Sequence, residues 1–193
     1  MKYILIATIL VLILANCGKN QSSIGEPGPP VDTTQMPIDT PIIKLGEGYV
    51  LKNGITWNAP FEAWYYQTNN LFQIWVEITY PNYRGEHLFI TDIPCNKGKY
   101  PIENWAHLIP RNQIPNCFLR VTQDFDQGIG SFSTDTTRND HFIEVIKYDS
   151  IARTVEGRFQ VFLKKEPSNT QWPGVPDSIF LTEGKFHLKI QEP

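Results

Sequence analysis

Cysteine is scarce in this 193-residue chain: Cys17, Cys95 and Cys117 are the three copies. None forms a Cys-x-x-Cys pair, which argues against a dithiol redox centre. Histidine numbers four (His87, His107, His141 and His187). No pair of them has His-x3-His spacing and none clusters with cysteine, so a zinc signature is missing. There is no Gly-x-Ser-x-Gly nucleophile elbow. Gly128-Ile129-Gly130-Ser131 lacks the downstream helix of a phosphate loop. Asp124-x-Asp126-x-Gly128 has the oxygen density of a calcium loop but not the closing glutamate of the EF-hand. Asp124, Asp126, Asp135 and Asp140 read as solvated loop charges. No catalytic residue, metal ligand or cofactor is expected, and an enzyme with an unrecognised site ranks last. Charge of one sign is also absent: 17 Lys and Arg face 20 Asp and Glu, for a net −3. The cations are scattered singly, without the basic stripe that nucleic-acid binding needs.

The amino terminus carries the clearest pattern. Met1-Lys2 is a short positive start, and Tyr3 to Ala15 is an almost unbroken apolar run. A membrane-spanning helix needs ~20 apolar residues, so the run fits a secretory h-region better. Leu14-Ala15-Asn16-Cys17 follows. These residues resemble a bacterial lipoprotein signal peptide with its lipobox, although Asn16 stands where a small Gly, Ala or Ser is usual. The resemblance implies a signal at 1–16, acylation of the Cys17 thiol, and an anchor of two or three chains. The expected location is a bacterial cell envelope, with the membrane as a partner through the lipid.

A tether is expected over 17–44. Pro27, Pro29, Pro30, Pro37 and Pro41 are set among Ser, Thr, Gln and Gly. Such a stretch has too little apolar surface to offset its ordering entropy, and proline stiffens it towards an extended spacer. Many surface lipoproteins of Bacteroidota carry an acidic run after the lipidated cysteine, and Gly18-Lys19-Asn20-Gln21-Ser22-Ser23 has none. A periplasmic face of the outer membrane is then as consistent as surface display.

The rest, 45–193, is long enough for one domain with a sizeable core. It reads as short strands separated by turns, with no stretch of helical amphipathicity. Asn53-Gly54 between Tyr49–Lys52 and Ile55–Trp57 predicts a tight hairpin. Strands are expected at Phe61–Gln67, Leu71–Tyr80, His87–Ile93, Cys117–Asp124, Gly130–Thr134, Phe142–Tyr148, Val155–Lys164 and from Ser178 onward. Phe72, Ile74, Val76 and Ile78 fall on one face of the second of these, and Gln73, Trp75, Glu77 and Thr79 on the other. Pro94 to Asn116 is expected to be a loop, with at most a short helix near Glu103–Leu108. The fold class is all-β: an antiparallel sandwich or flattened barrel of about eight to ten strands. In an exported chain, Cys95 and Cys117 favour a disulfide, which would stabilise by roughly 3 kcal/mol through loop closure.

Glu156-Gly157-Arg158-Phe159-Gln160-Val161 echoes Glu183-Gly184-Lys185-Phe186-His187-Leu188, as two strands meeting one packing problem. With Asn53-Gly54-x-x-Trp57-x-Ala59, Val145-Ile146-Lys147-Tyr148-Asp149 and Ile179–Phe186, these motifs resemble uncharacterised lipoprotein domains of Bacteroidota. The resemblance implies a β-sandwich-like envelope domain and brings no catalytic residues.

Aromatics are the remaining lead, with five Trp, eight Tyr and eleven Phe. Trp64, Tyr66 and Trp75 are the candidate ligand-binding residues: flat rings beside Gln73 and Glu77 can stack on a sugar or meet a protein. Trp105 and Trp172 sit in Pro-rich loops. The expected function is a non-catalytic, lipid-anchored binding domain for a carbohydrate or an envelope protein. The alternative is a structural or accessory subunit of an envelope complex without a small ligand.

Overall fold

The computed structural model describes residues 43–66, 70–82, 84–104, 114–123, 127–167 and 174–192. The leader 1–16, Cys17, nearly all of the tether, Trp105, His107, Asp124, Asp126, Trp172 and the 105–108 part of the expected helix lie outside the described residues, as does the side chain of Tyr66.

The domain is all-β, as expected. Eleven strands run in chain order: β1 Glu47–Lys52, β2 Ile55–Thr56, β3 Phe61–Tyr66, β4 Leu71–Thr79, β5 Gly85–Pro94, β6 Gly98–Pro101, β7 Asn116–Gln123, β8 Gln127–Thr134, β9 Phe142–Asp149, β10 Thr154–Lys165 and β11 Ser178–Gln191. They form one sheet in the order β2-β1-β11-β3-β4-β5-β7-β8-β10-β9-β6, closed on itself by a β10–β11 pairing. Closure works because the two longest strands each change neighbour along one edge. β10 pairs with β9 over Thr154–Gln160 and then with β8 over Leu163–Lys165. β11 pairs with β1 over Leu181–His187 and then, in parallel, with β3 at Ile190 and Gln191. The result is a flattened barrel with two walls, β2-β1-β11-β10-β9-β6 and β3-β4-β5-β7-β8. The other strand pairings are antiparallel.

The core fills the space between the walls. Phe72, Ile74, Val76, Leu88, Ile90, Leu119 and Phe132 from one wall meet Val155, Phe159, Val161, Leu163, Leu181, Phe186 and Leu188 from the other, all fully buried. The period-2 reading therefore holds for Phe72, Ile74 and Val76 of β4, with Ile78 partly buried against the core, for Val155, Phe159, Val161 and Leu163 of β10, and for Phe186, Leu188 and Ile190 of β11. Nearer the start of β11 the alternation changes phase at Glu183, whose φ is 55°. The hairpin holds too: Asn53 and Gly54 take φ of 51° and 79°, as a type I′ turn requires.

The echoed motifs turn out to be cross-strand partners. Gly157 faces Phe186 and Phe159 faces Gly184. A Cβ on Gly157 would lie 2.4 Å from the Phe186 ring, and one on Gly184 would lie 2.6 Å from the Phe159 ring. Each ring lies over the bare backbone of the other strand.

Two expectations are corrected. Cys95 and Cys117 are buried free thiols, not a disulfide. Cys117 stands opposite Ile90 in the β5–β7 ladder, whereas Cys95 lies five positions farther along the chain than Ile90. At the rise of a strand that offset is roughly 16 Å, more than twice the Cα separation a disulfide spans. Second, part of the Pro94–Asn116 excursion is ordered as a strand: β6 adds to β9, from Gly98 opposite Val145 to Pro101 opposite Phe142. β6 is the last strand of the sheet, where a proline without an N–H is tolerated.

Candidate functional site

In β4 the alternation that buries Phe72, Ile74 and Val76 turns Gln73, Trp75 and Glu77 outward. β3 does the same with Glu62 and Trp64, because Phe61 and Ala63 are buried. Register then decides the neighbours. Glu62 faces Trp75 and Trp64 faces Gln73, so Trp64 and Trp75 are diagonal neighbours on one outer face. The Tyr66 backbone pairs opposite Leu71.

The row continues across the wall. Trp75 faces Phe89 and Phe89 faces Phe118. Trp75 and Phe89 have ring centroids 5.2 Å apart, and Phe89 stacks on Phe118 at 4.6 Å with 13° between the planes. All three rings are half-buried. Such pairs contribute about 0.5–1.5 kcal/mol each beyond area burial. A second row, Glu77–His87–Arg120–Ser131, runs beside the first.

Polar groups frame the rings. The Trp64 Nε1–H donates to Glu62 Oε2 at 3.1 Å. Trp75 Nε1 is buried and has no hydrogen-bond partner among the described residues. Pro60, Glu62, Trp75 and Glu77 line a shallow cleft of about 80 Å³. One water takes ~30 Å³ of liquid volume, so the cleft admits a hydroxyl or two. A larger ligand would lie along the face.

Glu77, His87 and Thr122 come together as an acid, an imidazole and a hydroxyl. His87 Nδ1 is 3.6 Å from Glu77 Oε2, and its Nε2 is 3.3 Å from Thr122 Oγ1. The order is that of a nucleophile, its base and an orienting acid. The hydroxyl, however, is buried, with Oγ1 packed where a Cβ on Gly85 would sit at 2.5 Å. A substrate carbonyl has no open approach to that hydroxyl. His141 is structural: its Nδ1 accepts the Phe162 N–H at 3.2 Å and its Nε2 donates to the Asp135 carbonyl at 2.8 Å.

A second concavity of about 300 Å³ opens at one end of the barrel, lined by Tyr65, Asn70, Tyr148, Ser150, Arg153, Ile190 and Glu192. The Arg153 charge is met there by Glu192 at 2.5 Å. Burial raises the Tyr148 pKa, and the neighbouring Cys95 raises it further. Among the described residues no group of three His, Cys, Asp or Glu side chains is arranged to hold a metal ion.

Sequence reasoning placed Trp64 and Trp75 on one outer face but missed Phe89 and Phe118. Their outward direction was readable from the inward Leu88, Ile90, Cys117 and Leu119. That β5 and β7 would lie beside β4 was not.

No protein family, curated protein or solved structure matches the chain. The likeness to Bacteroidota lipoprotein domains therefore rests on the sequence motifs alone.

Proposed function

We propose that the chain is a lipid-anchored binding domain of a bacterial cell envelope, and that its aromatic outer face takes a carbohydrate. The leader and Leu14-Ala15-Asn16-Cys17 support the anchor. Cys17 carries the lipid in this reading, and 17–44 holds the domain away from the membrane. The observation that carries the ligand reading is the outward row Trp75–Phe89–Phe118, with Trp64 beside it and Glu62, Gln73 and Glu77 around it. Wide aromatic faces stack on sugar rings, and carboxylates and amides accept and donate to hydroxyls. Trp75 adds a chemical argument. Its shielded, unpartnered N–H costs about 1–3 kcal/mol, which phenylalanine in a packing role would avoid. What tryptophan adds at this position is its wide indole face.

A glycan array probed with the full chain tests the reading. The expected result is a defined set of bound saccharides, with signal lost in Trp75→Ala and reduced in Trp64→Ala. An array without a single bound saccharide, or one unchanged by both substitutions, overturns carbohydrate binding and leaves an accessory role in an envelope complex. Mass spectrometry of the natural protein tests the anchor: acylation at Cys17 is expected, and an unmodified Cys17 on an uncleaved chain contradicts it.

A further inference from the structure

At the end of the barrel where β4 turns into β5, charge enters the interior. Glu86 shares the inner face of β5 with Leu88 and Ile90, and its side chain is only 5% exposed. Lys52, at the end of β1 in the opposite wall, reaches across and pairs with Glu86 Oε2. The Tyr80 hydroxyl donates to the same oxygen at 3.2 Å. Arg84 approaches the other oxygen at 3.9 Å. Two cations thus share one carboxylate. By formal charge the cluster carries one positive charge more than Glu86 neutralises.

The donor count points the same way. Among the described residues Arg84 Nε, which is buried, has no hydrogen-bond partner, and neither has the Nε1 of Trp57. Trp57 is 6% exposed and lies with its ring 5.3 Å from the Lys52 ammonium. Its N–H is near enough to the Tyr80 hydroxyl to counter the rise in the Tyr80 pKa that burial and Glu86 cause, yet it falls outside hydrogen-bonding geometry. Among the described residues Glu86 is the ion-pair partner of the Arg84 guanidinium, at 3.9 Å. A guanidinium carries five donors suited to two-pronged contact with an oxyanion. Its backbone is fixed: the Tyr80 N–H donates to the Arg84 carbonyl at 2.8 Å, and the Arg84 N–H donates to Asn82 Oδ1 at 3.3 Å. Beside it lies a concavity of about 510 Å³ lined by Tyr80, Pro81, Asn82, Arg84 and Glu86. It is open to solvent and large enough for a sugar acid or a phosphorylated sugar.

We infer that this end of the barrel is a second binding site, one that takes a small oxyanion, carboxylate or phosphate, on the Arg84 guanidinium. Glu86 both orients Arg84 and Lys52 and competes with the ligand for them. The site is separate from the aromatic face and does not depend on what that face binds.

The test follows the Arg84 Nε–H resonance of the ¹⁵N-labelled full chain, assigned with Arg84→Lys, during titration with glucuronate, inorganic phosphate and, as a neutral control, glucose. The expected result is a saturable shift with an anion and none with glucose. Glucuronate acting alone identifies a carboxylate ligand, and phosphate acting alone a phosphate ligand. Glu86→Gln, which leaves a hydrogen-bond acceptor for Lys52 and Tyr80, should tighten binding by several-fold, and Arg84→Met should weaken it by about tenfold or more, the scale of one charge-assisted contact. Absence of a saturable shift with either anion in the wild-type chain overturns the site, as does unchanged affinity in Arg84→Met. The wild-type titration decides the matter even if a variant fails to fold.

Discussion

The barrel uses aromatic rings in two contrasting ways. At the β10–β11 seam, Phe159 and Phe186 each lie over a glycine of the other strand and are fully buried. On the outer face of β4, β5 and β7, Trp75, Phe89 and Phe118 also meet across strands, but ring on ring, half-exposed, with no glycine beneath. At the seam every partner is matched in shape, and removing a ring leaves a hole. On the outer face each ring keeps part of its surface open to solvent, and among the described residues the Trp75 N–H has no partner. A residue type alone therefore does not say how a ring is used in the barrel; its cross-strand partner shows how it packs.

The contrast breaks most visibly at the seam. Phe159→Ala or Phe186→Ala should lower unfolding free energy by about 3–5 kcal/mol, measured by chemical denaturation, whereas Phe118→Ala should cost less than half of that. Gly184→Ala should cost about 1–3 kcal/mol, because the three atoms nearest the new Cβ belong to the Phe159 ring. Combining it with Phe159→Leu should recover part of that loss. Strict additivity of the two would mean that the glycine and the ring are not coupled.

Cys117 and Phe118 sharpen the comparison from within one strand, since one points into the core and the other outward. Burial pushes the Cys117 thiol well above its ordinary range, and the Cys95 thiol is raised for the same reason. A raised folded-state pKa means that the contribution is complete below the unfolded thiol value near 8.5 and is lost as pH rises. Stability should fall by up to about 1.4 kcal/mol per pH unit for each thiol above that point, and Cys117→Ala should flatten this limb. Smaller still is the effect of Trp75→Phe. By removing an unpartnered donor, it should leave stability unchanged or raise it by about 1 kcal/mol while weakening saccharide binding. The smallest effect concerns the thiols themselves. Reductant should not shift the melting temperature, and both cysteines should resist a thiol reagent until the protein unfolds.

Much of the wall structure was legible as alternation. Val155, Phe159, Val161 and Leu163 face inward as read, and so do Phe186, Leu188 and Ile190. The echo between Glu156–Val161 and Glu183–Leu188 was visible, but its meaning needed register: only pairing shows that each glycine serves the other strand's ring. The disulfide failed for the same reason, since an even number of thiols says nothing about where two strands align. Barrel closure was hidden because it depends on β10 and β11 changing neighbours midway. In β5, the irregular register opposite Phe72 and Ile74 and the positive φ of Asp92, 58°, break the alternation so that both Asp92 and Ile93 are buried. Asp92 is satisfied there by Asn116 Nδ2 at 2.8 Å. Of the outer face, Trp64 and Trp75 could be read from β3 and β4 as neighbours in sequence. The contributions of Phe89, Phe118 and the Lys52–Glu86–Arg84 cluster come from strands brought together by topology.

The central claim is that the outer aromatic row binds and does not merely pack. Calorimetric titration of the strongest saccharide from the array into the wild-type chain and Trp75→Ala tests it most directly. The account predicts at least about a tenfold loss of affinity in a variant that still unfolds cooperatively. Equal affinity in the two proteins would contradict it and would return Trp75 to the role of the seam phenylalanines.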